Sequence, residues 1–159
     1  MIVFDRGKAR FQYRVAAIIR RGDEVLLQTA GDEGFWYLPG GRVEMLESAE
    51  EALCRELREE IGATARIERL VWFAENFFEH RGITYHEPGL YFLASIPADS
   101  PAYRAEGTFL GYEADGTRLL HEWHSVHELD GLRLFPSFLK AGLRSLPAET
   151  QYIVHRDGA

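Results

Sequence analysis

Apolar and polar positions along most of the chain are patterned as strands. Residues 13–28, YRVAAIIRRGDEVLLQ, hold a buried apolar run (VAAII), a turn at RRGD and a returning run, which predicts two strands joined tightly. A glycine-rich loop, TAGDEGFWYLPGG, follows. The periodicity then changes. Ala49, Leu53, Leu57 and Ile61 recur every four residues and predict a helix over 49–61 with one buried stripe. Ser48 with Glu51 three residues on is a helix-start capping box, and Gly62 stands where a C-terminal glycine belongs. Residues 64–79 and ITYHEPGLYFLASI return to strand patterning around a turn at HRG, with Pro88 predicting an edge position or a bulge.

Residues 97–117 keep no sustained period and read as a long loop holding at most one short strand. RLLHEW predicts a strand, SVHEL a short helical turn, and SFLKAGLRSL a second helix between Pro136 and Pro147. TQYIVHR is a last strand or a frayed tail. The chain carries no repeat, linker or low-complexity tract, so residues 1–159 are expected to form a single domain. Strands mixed with two helices imply an α/β fold, with helices on the faces of a mixed sheet.

Composition narrows the function classes. At 159 residues, 46% apolar and 27% charged, the chain has the make-up of a soluble globular protein. The net charge is −7, and seven glutamates against three arginines crowd into residues 42–60. An acidic chain without a basic cluster is unsuited to duplex nucleic acid, whereas small anions remain compatible if a metal supplies positive charge. Cys54 is the single cysteine, which excludes an intrachain disulfide, fits a reducing compartment and reads as an inert core thiol. MIVFDRGKARF lacks the apolar stretch of a signal peptide, and no run is long enough to span a bilayer. A cytoplasmic location is expected.

The glutamates at the end of the predicted helix break two local rules. At about 100° per residue, Glu56, Glu59 and Glu60 fall within an arc of about 100° beside the buried stripe. They repel one another at i+3 and i+4 and sit at the helix end whose dipole disfavours anions. Such failures concentrate at functional sites, and a hard divalent cation with oxygen ligands would reverse both penalties. A solvated acidic helix face is the alternative. Against it stand LPGG, which can bring backbone groups close to a ligand, and Arg55, which can hold a neighbouring carboxylate.

Gly41, Glu47, Arg55, Glu56, Leu57, Glu59, Glu60 and Gly62 stand at the spacing G-x5-E-x7-R-E-U-x-E-E-x-G-U, where U is a bulky aliphatic residue. Residues 41–63 thereby resemble the Nudix box; only Ala63 departs, being smaller than the usual aliphatic residue. The resemblance implies an α/β/α sandwich around a mixed sheet. It further implies hydrolysis of the pyrophosphate bond of a nucleoside diphosphate linked to another moiety, dependent on Mg²⁺ or Mn²⁺. By position, Glu56, Glu59 and Glu60 look like metal ligands, with the Gly40 carbonyl a further one. Arg55 looks like the residue that orients a box glutamate, and Gly41, Glu47 and Gly62 like structural or outer positions. Glu56 is the first choice of base, with Glu59 beside it in the catalytic set. A more distal acid is the second choice: Glu106, Glu113 or Glu122, of which Glu122 is favoured because it ends a predicted strand.

Trp36, Phe78 and Tyr85 are candidates for stacking a nucleobase and Arg81 for binding phosphate, each with core or plain surface placement as the alternative. Arg104 is a weaker phosphate candidate. His121, His124 and His127 lack structural zinc spacing and read as packing or exposed histidines. The downstream proline or tyrosine of the ADP-ribose and dinucleoside polyphosphate subfamilies is missing near Phe78, Glu79 and His80, as is the signature of the NADH hydrolases. By elimination, the expected substrate is a (d)NTP-type nucleotide. The alternatives are a Nudix-fold sensor that binds without turnover and an ADP-ribose or dinucleotide hydrolase without the usual markers. Dimers are common in the family, which leaves a homodimer open.

Overall fold

The computed structural model describes residues 1–31 and 33–157. Strands dominate: β1 (Val3–Arg6), β2 (Ala9–Gln12), β3 (Arg14–Arg21), β4 (Glu24–Ala30), β5 (Gly40–Arg42), β6 (Arg66–His80), β7 (Ile83–Ser95), β8 (Phe109–Tyr112), β9 (Arg118–Ser125) and β10 (Gln151–Arg156). Helix α1 spans Ala49–Ile61, the interval predicted from the four-residue period; α2 (Pro101–Arg104) and α3 (Leu139–Gly142) are single turns. The strands form one mixed sheet in the order β1-β2-β7-β3-β4-β9-β8, with β6 on the other edge of β7, β10 on β6, and β5 on β3.

Strand β3 shows how the sheet separates two cores. Successive side chains of a strand face opposite ways. Val15, Ala17 and Ile19 enter one apolar cluster with Ala52, Leu53 and Leu57 of α1. Ala16 and Ile18 enter the other, with Leu129, Leu134, Leu139 and Leu143 of the C-terminal region. The expected α/β/α layering is thus present, with a thin second helical layer. Where the pattern predicted a helix over SFLKAGLRSL, only Leu139–Gly142 is α-helical. A Cβ on Gly142 would lie 2.7 Å from the Trp72 ring, so this segment presses on the sheet too closely for a regular side chain.

Three further elements differ from the sequence pattern. MIVFDRGKARF contributes the β1–β2 hairpin, turning at Gly7 with φ +63°, a left-handed conformation that glycine adopts freely. The loop at 97–117 contains α2 and β8. Strand β7 is interior, which corrects the edge placement suggested by Pro88. One side of β7 pairs throughout with β6; the other pairs with β2 over Thr84–His86, then with β3 over Gly89–Ala94. Glu87 and Pro88 lie in the gap between those partners, where a missing ladder donor is tolerated. Among the described residues, no helix is long and apolar enough to cross a membrane.

Candidate active site

Helix α1 is held firmly at both ends, which fixes where its glutamates emerge. Ser48 Oγ accepts from the Glu51 amide while the Glu51 carboxylate accepts from the Ser48 amide, completing the capping box. At the far end Gly62, at φ +64°, donates to Arg58 O, and Ala63 N donates to Leu57 O. Ala63 is buried in the core beside α1, so the departure from the box pattern lies in the packing and not among the acids.

Arg55 organises the acids. Its Nε and Nη2 donate to the two carboxylate oxygens of Glu47 at 2.8 and 3.0 Å, a two-pronged pairing. Its Nη1 donates to Glu56 Oε1 at 3.0 Å and reaches Glu59 Oε2 at 3.5 Å. Nη2 also donates to Arg42 O in β5, tying the helix to the preceding loop. Glu47 accepts a further bond from the Glu44 amide, and this partner set holds its carboxyl below the usual range, Arg55 first.

Glu60 is the unusual group. It is only 5% exposed, and its Oε2 is buried with no hydrogen-bond partner. Burial first, and then the neighbouring Glu56 carboxylate, push its pKa well above the carboxylate range. An orphaned buried carboxylate oxygen is costly unless something positive or a proton completes it. Glycines allow close approach around the neighbouring Glu56: a Cβ on Gly41 would lie 2.3 Å from Glu56 Cδ, and one on Gly40 would lie 2.0 Å from Val15 O. Glu59 lies towards solvent, and among the described residues no three His, Cys, Asp or Glu side chains converge closely enough to ligate an ion as they stand. The donor set nevertheless fits a hard divalent cation, since it consists of carboxylate oxygens, one of them buried without a partner.

Gly40, Glu56, Glu59 and Glu60 line a single cavity of about 620 Å³. Phe78 and Tyr85 line it as well, stacked at 4.7 Å with rings nearly parallel. Three of the stacking and phosphate candidates lie elsewhere, Arg104 among them at the end of α2. Trp36 bridges to Leu134 and packs edge-on against His124 at 4.7 Å, away from the cavity wall. Arg81 occupies the exposed β6–β7 turn. Glu122 lies 3.7 Å from His124 Nε2 and is likewise off the wall, whereas Glu113 lines it. Loss of solvent, then the nearby Asp115 charge, raise the Glu113 carboxyl. Glu113 is therefore the distal acid that the fold brings near the box glutamates.

The sequence reading missed several wall residues. Arg14 opens the apolar strand β3 and donates to Leu38 O at 3.0 Å, with its guanidinium 5.5 Å from the Tyr37 ring centre. Burial opposes its charge, but Glu87, Tyr91, Tyr37 and Glu60 around it raise its pKa overall. Gln12, Asn76 and Glu87 form a buried polar floor. The available signals were a charge at the start of VAAII and an acid beside Pro88 within a strand.

Comparison with known proteins agrees with this layout. The NUDIX domain family profile matches residues 10–144. CTP pyrophosphohydrolase of Escherichia coli is 46% identical over 57 residues, which cover 33% of this chain and 42% of that protein. A Caenorhabditis elegans protein named nudix hydrolase 1 is 31% identical over 137 residues, covering 77% of this chain and 33% of its own length. The matched stretches thus span less than half of either relative. Among solved structures, the MutT protein from Bacillus halodurans superposes with a TM-score of 0.60 at 23% identity, covering 92% of this chain and 91% of the other. That likeness speaks to the fold, while the family profile reaches from β2 to just past α3 and takes in the whole glutamate-bearing helix. The chain belongs to the Nudix family.

Proposed function

We propose that the protein is a metal-dependent pyrophosphohydrolase of (d)NTP-type nucleotides, folding as one domain over residues 1–159 and working in the cytoplasm. The observation that carries the reading is Glu60 Oε2, buried and partnerless on the wall that Glu56, Glu59 and Gly40 share. Mg²⁺, or Mn²⁺ in its place, would be held by Glu56, Glu59, Glu60 and the Gly40 carbonyl. When bound, it neutralises diphosphate charge and lowers the pKa of a coordinated water.

The chain's own groups do the remainder. Arg55, anchored on Glu47, keeps Glu56 in place. Glu56 accepts the proton of the attacking water, and Glu113 is the alternative acceptor on the same wall. Arg14 and Arg42 give the wall cationic character beside the acids, suited to the outer phosphate oxygens. The aromatic pair Phe78–Tyr85 offers a flat apolar face for the base. The E. coli relative's name, CTP pyrophosphohydrolase, supports a triphosphate substrate.

The test is a nucleotide panel assayed with Mg²⁺ or Mn²⁺ for release of phosphate or pyrophosphate. At least one nucleotide should be cleaved, and Glu59→Gln and Glu60→Gln should each abolish turnover. Equal turnover by the wild type and both variants would sink the assignment. Tight binding of a nucleotide with no cleavage across the panel would move it to a nucleotide sensor.

A further inference from the structure

The polar floor of the cavity has an unfilled acceptor far along the chain from the box. Strands β6 and β7 run antiparallel, with Asn76 opposite Glu87 and Phe78 opposite Tyr85. Residues two apart on a strand share a face, so these pairs form adjacent rungs on one side of the sheet. All four residues line the cavity. One rung is the stacked aromatic pair; the other is polar and buried, Asn76 and Glu87 each being 4% exposed.

The polar rung is fixed from behind. Gln12, at the end of β2, donates its Nε2 to Glu87 Oε2, and the Asn76 amide nitrogen faces the Glu87 carboxyl. In this contact the NH₂ end of the carboxamide is the donor, since it lowers the Glu87 pKa against the raising effect of burial. Asn76 Oδ1 is buried and has no hydrogen-bond partner. A buried acceptor without a donor is unfavourable, and the residue that carries it lines a cavity next to a flat aromatic face.

We propose that Asn76 is a specificity-determining residue that accepts a hydrogen bond from the exocyclic amine of a nucleobase packed against the Phe78–Tyr85 rung. The inference rests on the reading of this cavity as a nucleotide site and adds the class of base it takes. An amine such as N4 of cytosine or N6 of adenine supplies the missing donor. A carbonyl at the same position, as in uracil or hypoxanthine, sets two acceptors against each other. Gln12 and Glu87 are positioning residues, acting through the Asn76 amide.

The test compares matched nucleotides differing at that group, CTP with UTP and ATP with ITP, in the wild type and in Asn76→Leu. The wild type should favour the amine-bearing member of at least one pair. Asn76→Leu should raise KM for that member about tenfold, equivalent to 1.4 kcal/mol, with kcat nearly unchanged and the amine-lacking partner unaffected. An equal KM rise for both members, as expected if Asn76 only holds a water or supports the sheet, overturns the proposal. So does an unchanged preference. Calorimetric titration of the wild type with CMP, UMP, AMP and IMP without metal keeps the test independent of variant folding and of turnover. Tighter binding of CMP than UMP, or of AMP than IMP, supports base reading even if no nucleotide is cleaved. No difference within either pair overturns it, while turnover by the wild type would leave the hydrolase assignment standing.

Discussion

His121 shows how a single side chain can set the acid limit of the fold. It is fully buried, stacks on Phe109 and places Nε2 at 2.9 Å from Gln28 Oε1, while Nδ1 has no partner. Burial lowers its pKa from 6.5 to about 4. Between those values the unfolded chain binds a proton that the folded chain refuses, so the His121 contribution is complete above about pH 6.5 and is lost as pH falls towards 4. The loss amounts to roughly 3 kcal/mol at most. His121→Gln keeps a donor for Gln28 without a titrating ring. Thermal melts between pH 7 and 4.5 should show a shallower acid slope for this variant than for the wild type; parallel slopes would clear His121 of the role. The sequence leaves His121 as a packing or an exposed histidine; the structure makes it a packing one, and its burial depends on Gln28 and Phe109, on other strands.

Helix α1 joins folding to the site because its caps and its chemistry occupy the same few turns. Its limits and stripe were legible since capping residues, a period of four and a terminal glycine are local signals. The acids at its end were legible for the opposite reason, as a local rule broken without local compensation. What could not be read was the floor of the cavity, because Gln12, Asn76 and Glu87 meet only once β7 changes partners from β2 to β3. Glu122 was preferred to Glu113 on strand position alone, yet strand ends do not reveal which wall a side chain joins. The contact between β5 and α1 carries a prediction. Gly41→Ala would bring a methyl group to 2.3 Å from Glu56 Cδ, so the flexible carboxylate must move while the backbone stays. Activity should fall about a hundredfold, as displacement of a reacting group by about 1 Å does, while the melting temperature holds within a few degrees. A variant of near-normal activity would mean that the position of Glu56 is not critical.

For the molecule as a whole, the proposed metal site would link stability to pH through Glu60. Its folded pKa lies above the ordinary carboxylate value of 4.5, chiefly because it is buried. The sign is opposite to that of His121. The favourable contribution of neutral Glu60 is fully present below about pH 4.5 and is lost as pH rises towards the folded pKa. Metal-free protein should therefore be most stable at mildly acidic pH, with His121 limiting it below and Glu60 above. A cation bound by the box glutamates replaces the proton on Glu60, so stabilisation by Mg²⁺ should be larger at pH 8 than at pH 6. At a hundred times its dissociation constant the ion adds about 2.7 kcal/mol, enough to read as a clear rise in melting temperature. Glu60→Gln should flatten the alkaline decline of the metal-free protein and abolish most of the Mg²⁺ effect. Melting curves in EDTA and in Mg²⁺ across this range decide the matter without any substrate. If the wild type melts at the same temperature with and without Mg²⁺ or Mn²⁺ at pH 8, the buried glutamate is not a cation ligand, and its partnerless oxygen needs another explanation.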